Sequence, residues 1–168
     1  MISYTLLFLI AALFQVFLFD NLSIGAFFSP LVYIAFVALL PIETLPVAML
    51  GCGLLMGVAM DWAMGLEGIN TAVSLFTAFS RRAMLRLTCG KERVREGGIP
   101  TVWELGNYSF FCYIVLFAAV HHGCFFLLES LSAALLPFVL IRFAVGTAVS
   151  VCFLWLTSQL FISRVPML

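Results

Sequence analysis

The residues with the most capacity for chemistry are few and stand inside strongly apolar sequence: Asp61, Arg142, His121, His122 and Glu129. In Gly53-x-x-x-Gly57-x-x-x-Asp61 the spacing puts two glycines and a carboxylate near one helix face, because residues four apart stack on a helix. Glycines so spaced let a second backbone approach closely in lipid. Arg142-x-x-x-Gly146-x-x-x-Ser150 repeats the logic with the opposite charge and in the opposite chain direction. The two stripes are expected to pack antiparallel, with Asp61 and Arg142 paired in the outer half of a membrane, since an ionisable group within a span is costly unless compensated. Arg142 would lie roughly 15 Å deep at 1.5 Å per residue, with a side chain long enough to snorkel outward. A ligand or partner contact is the other reading of this pair.

His121, His122 and Glu129 form the second polar group, with His122 and Glu129 seven residues apart on one face. Imidazole binds metals and titrates near neutrality, so a metal or proton-relay role is open. Adjacent histidines point about 100° apart on a helix, however, and cannot both serve one site without local unwinding. Hydrogen bonding to a neighbouring helix or to a partner fits them better. No Ser-His-Asp or Cys-His arrangement stands out, and the glycine pairs lack the strand-and-helix context of a phosphate loop. Cys52, Cys89, Cys112, Cys124 and Cys152 are odd in number and form no C-x-x-C pair, so they read as apolar core residues. No catalytic residue, metal or cofactor is expected.

The elements that carry these residues are dictated by composition. Of 168 residues, 64% are hydrophobic and 10% charged, and the mean hydropathy is +1.20, too apolar for a water-soluble domain. One all-α integral-membrane domain over residues 1–168 is expected, with about six spans of roughly 20 residues each. Apolar runs place the spans near Tyr4–Phe19, Ile24–Leu40, Leu45–Trp62, Ile69–Leu87, Leu105–Leu128 and Ala133–Ile162. Asp20-Asn21, Pro41-Ile42-Glu43-Thr44 and the stretch Gly65 to Gly68 separate them. The first span lacks a basic leader and an Ala-x-Ala-like cleavage site, so it reads as a retained helix. The sixth is long enough to tilt, or to open with a bent turn near Pro137.

Six of the eight basic residues, Arg81, Arg82, Arg86, Lys91, Arg93 and Arg95, fall in one short stretch. Lys and Arg collect on the cytoplasmic side of membrane proteins, so this stretch reads as a solvated cytoplasmic loop and sets both termini inside. A docking or anionic-lipid role is its second reading. Glycine-bounded and alternating in charge, the segment Gly90 to Pro100 is expected to be mobile. Trp62 and Trp103 stand where interfacial anchors belong, on opposite sides. A net charge of zero excludes general attraction to nucleic acid.

The whole chain resembles the MreD family, small integral-membrane rod-shape-determining proteins of bacteria. Length, Leu13-Phe14-Gln15-Val16 with Asp20-Asn21, and Ser29-Pro30 carry part of the likeness. Its core is the run from Gly53 through Gly57 to Asp61, then Gly65, Gly68 and a span ending Phe79-Ser80-Arg81-Arg82. The resemblance implies a non-enzymatic protein of the bacterial inner membrane. It also implies an MreC-like partner and an elongation machinery including MreB, a RodA-type glycosyltransferase and a penicillin-binding transpeptidase. The family's fold is thought similar to the six-helix substrate-binding components of vitamin transporters. That likeness supplies the alternative: a small-molecule binding subunit of a transporter. A transporter component should carry a small-residue stripe on its first span, where this chain has Ala11 and Ala12 among large residues.

Overall fold

The computed structural model describes residues 2–19, 31–129 and 136–162, and all regular structure among them is helical. Helix α1, Ile2–Leu13, runs on into a π-helical turn, Phe14–Phe19. A 3-10 turn, Val32–Ile34, leads into the short helix α2, Ala35–Ala38. Then come α3, Pro46–Met64; α4, Ile69–Cys89; α5, Lys91–Glu96; α6, Val102–Leu105; α7, Asn107–Glu129; and α8, Leu136–Ile162. Three helices, within Pro46–Met64, Asn107–Glu129 and Pro137–Gln159, are long and apolar enough to cross a membrane, which marks the chain as a membrane protein.

Helix limits follow local chemistry. Pro46 opens α3, where its missing N–H is no loss. Gly65 closes it in the left-handed region at φ 66°, a conformation that a Cβ would strain. Pro137 lies in the first turn of α8, so it begins that helix and does not bend it. Helix α4 has 21 residues, about 30 Å of rise, but its second half carries Arg81, Arg82 and Arg86. The Asp20-Asn21 and Ser29-Pro30 marks and residues 24–30 of the expected run Ile24–Leu40 lie outside the described residues.

The order of packing is α3 on α4, α4 on α7 and α7 on α8. The core between them is built from Tyr33, Met56, Met60, Phe110, Tyr113, Ile114 and Phe117, all essentially inaccessible. Because lipid is as apolar as these side chains, burying them against each other supplies packing contacts but little hydrophobic drive. The polar groups must therefore do much of the fastening.

Within the stretch from Gly90 to Pro100, residues Lys91–Glu96 form α5. Arg93–Glu96 and Arg95–Glu92 pairs at 3.5 and 3.6 Å lie within α5. The Ile42 N–H donates to Gly98 O at 2.8 Å, and the Gly98 N–H donates to Glu43 Oε2 at 3.0 Å. Those two bonds tie the segment to the turn before α3.

Candidate functional site

Glycine placement brings α3 and α4 together. A Cβ on Gly57 would stand 2.5 Å from Thr71 Cα and 2.9 Å from Asn70 O, and one on Gly53 would stand 2.9 Å from Ala78 Cβ. No side chain fits at either position, so the small-residue stripe serves α4. The expected packing of Gly53 and Gly57 against Gly146 and Ser150 is corrected by this contact.

The same approach decides the fate of Asp61. Helix α4 begins after Gly68, which has no side chain to cap it. Asp61 caps it from α3: Oδ1 accepts the Asn70 N–H at 2.9 Å, and Oδ2 accepts the Thr71 N–H at 2.9 Å and the Thr71 hydroxyl at 2.5 Å. Asn70 and Thr71 are the second and third residues of the helix, whose N–H groups lack intrahelical acceptors. The carboxylate is compensated by these donors and by the positive end of the helix dipole.

Arg142 therefore has no Asp61 to meet. Its Nη1 donates to Glu129 Oε2 at 2.8 Å and its Nη2 to Glu129 Oε1 at 3.3 Å, a forked pair joining α8 to the end of α7. The guanidinium also stacks 4.9 Å above the Phe126 ring. Arg142 stands in the second turn of α8, not deep in the span, because the helix begins at Leu136. The Asp61–Arg142 pair is thus replaced by two separate solutions. Glu129 belongs to Arg142 rather than to the histidines.

His121 and His122 turn to different neighbours, as their angular separation requires. His121 Nε2 lies 2.9 Å from the Tyr33 hydroxyl and Nδ1 3.1 Å from the Thr77 hydroxyl, while Tyr33 donates to Asn70 Oδ1 at 3.0 Å. With the Tyr33 hydroxyl proton on Asn70, His121 Nε2–H donates to Tyr33, and the single Thr77 hydroxyl proton lies between His121 Nδ1 and Val73 O, which is 2.8 Å away. His122 Nδ1 is 3.0 Å from Ala118 O, leaving Nε2 to accept from the Leu31 N–H at 3.3 Å and Ser150 Oγ at 3.4 Å. Ser150 thus faces α7. Among the described residues no group of three or more metal-ligating side chains is assembled.

The basic stretch is divided. Arg81 is 2% exposed and lies within α4, about 12 Å before its end, so it is not part of a solvated loop. Its Nε donates to the Tyr113 hydroxyl at 3.1 Å, and its Nη2 donates to Ala38 O at 3.2 Å and to Leu40 O. Tyr113 in turn donates to Ala38 O at 2.9 Å. Ala38 closes α2 and Leu40 lies two residues beyond it, so the cation sits at the negative end of a short helix, the counterpart of Asp61 at a positive end. Arg82 and Arg86 are exposed on α4, and Lys91, Arg93 and Arg95 are exposed on α5.

Sequence reading did not single out Tyr33, Asn70, Thr77 or Tyr113, and took Gln15 only as part of a family-like run. Gln15 Oε1 accepts the Val32 N–H at 2.8 Å, joining the first helix to the second. The available signal was a polar residue isolated in an apolar run, which marks Gln15, but the tyrosines carry no such mark. Compared with family models, with curated proteins and with solved structures, the chain matches none.

Proposed function

We propose that this chain is a non-enzymatic membrane component of a bacterial cell-elongation complex, partnering an MreC-like protein and helping to link an MreB cytoskeleton to peptidoglycan synthesis. In this reading it crosses the inner membrane six times, with both termini and the α5 segment in the cytoplasm and a fold like that of transporter substrate-binding components. The observation that carries it is how the buried polar side chains are used. Asp61, Arg81, His121 and His122 each bond a neighbouring helix or segment, which suits a scaffold. Large apolar side chains remain exposed on α7 and α8, among them Phe111, Leu127, Leu140, Ile141 and Leu156. A single-span partner helix could pack on these faces. The run Gly53 to Asp61, which carries the family likeness, fastens α3 to α4.

Affinity capture from mild detergent tests the proposal. Recovery of an MreC-like single-span protein, and rounding of rod-shaped cells on depletion, is the expected result. Recovery of an ATPase module with loss of vitamin uptake and normal cell shape would favour the transporter reading instead.

A further inference from the structure

Between the start of α3 and the second half of α4 lies a cavity of about 130 Å³, with Met49, Leu50, Phe79 and Leu85 among its walls and Arg81 and Arg82 on its border. No acidic residue lines it; Glu43, in the turn nearby, is engaged with the Gly98 N–H. Arg82 is exposed and makes no ion pair among the described residues. Arg81 is buried and bonds protein through Nε and Nη2 only, so its two Nη1 hydrogens have no protein acceptor among the described residues. Helix α3 also begins here with no side-chain cap, adding the positive end of its dipole. Phe79 on its wall, and Leu45 and Val47 on either side of the lining Pro46, are strongly exposed.

We propose that this cavity holds the phosphate of an anionic phospholipid between Arg81 and Arg82, with the acyl chains lying on the exposed apolar surface of α3 and α4. Its volume suits a headgroup but not a whole diacyl lipid, and two guanidiniums over apolar walls match the amphiphile's two halves. The proposal rests on membrane insertion but not on the partner protein. Its test is therefore independent of the elongation-complex reading.

Native mass spectrometry of the full chain in mild detergent, titrated with dioleoylphosphatidylglycerol or dioleoylphosphatidylcholine, reads the site directly. The anionic phosphatidylglycerol should bind at least fivefold more tightly than the zwitterionic phosphatidylcholine, and Arg82→Gln should weaken it about fivefold, the effect expected of one basic residue at a lipid surface. Arg93→Gln, which removes an equal charge from α5, should change it less than twofold. Millimolar inorganic phosphate should not displace the lipid. Equal binding of the two lipids, or equal losses in the two variants, would overturn the site. Displacement by inorganic phosphate would overturn the lipid as its occupant.

Discussion

The α3–α4 body and the α7–α8 seam solve the same problem in different ways. In the body, Asp61 is held by the N–H groups that open α4, and Arg81 by the Ala38 and Leu40 carbonyls at the end of α2 and just beyond it. At the seam, Arg142 is held by Glu129 and by aromatic rings, with side-chain exposures of 16% and 30% for the pair. Backbone ends are fixed by the helices themselves, so the first arrangement leaves no slack. A partly exposed pair of side chains contributes less, because both must be ordered to meet. The body therefore compensates its charges with backbone groups, and the seam with a second side chain.

The largest difference should come from glycine. Gly57→Ala forces a methyl into the backbone of α4 and is expected to cost about 3 kcal/mol, the upper range for overpacking. Gly51→Ala, two turns away with no atom within 4 Å, should be neutral or slightly stabilising. Thermal unfolding in mild detergent separates the two; equal effects would mean that α3 and α4 are not in contact at Gly57.

Arg81→Met removes three hydrogen bonds and leaves the Leu40 carbonyl without its donor. A loss of about 2 to 3 kcal/mol is expected, from one or more unsatisfied buried groups. Arg81→Lys keeps the charge but not the planar fork, and should lie between. Asp61→Ala should cost about 2 kcal/mol, the upper range for a lost helix cap, and Asp61→Asn less, because one acceptor survives. Hydrogen exchange localised to the first turn of α4 would show the site of the damage.

Smallest of all, Arg142→Met is expected to cost about 1 kcal/mol or less, since its pair is partly exposed. If it instead costs more than Asp61→Ala, the ranking of body over seam is wrong.

Much of the architecture is legible in sequence. The limits of α3 and α4 follow apolar runs bounded by Pro46, Gly65 and Gly68, and the glycine stripe signals close helix packing. What fails is the assignment of partners. Asp61 and Arg142 are opposite charges in apolar sequence, and their pairing is the simplest compensation for both. The orphan N–H groups of α4 are invisible in a residue pattern, yet they lie within one connector of Asp61 and win because α3 and α4 are adjacent in the chain. Arg81 misleads for a related reason. Clustered with five other basic residues it reads as solvated, and only the fold brings the carbonyls of Ala38 and Leu40 to it.

A double-mutant cycle on unfolding free energy, combining Asp61→Asn with Arg142→Met, tests the division between backbone-held and pair-held charges most directly. The two changes should add within about 0.5 kcal/mol, as independent sites do, while Glu129→Gln with Arg142→Met should show coupling. Coupling of more than about 1 kcal/mol between Asp61 and Arg142, with none between Glu129 and Arg142, would contradict the account.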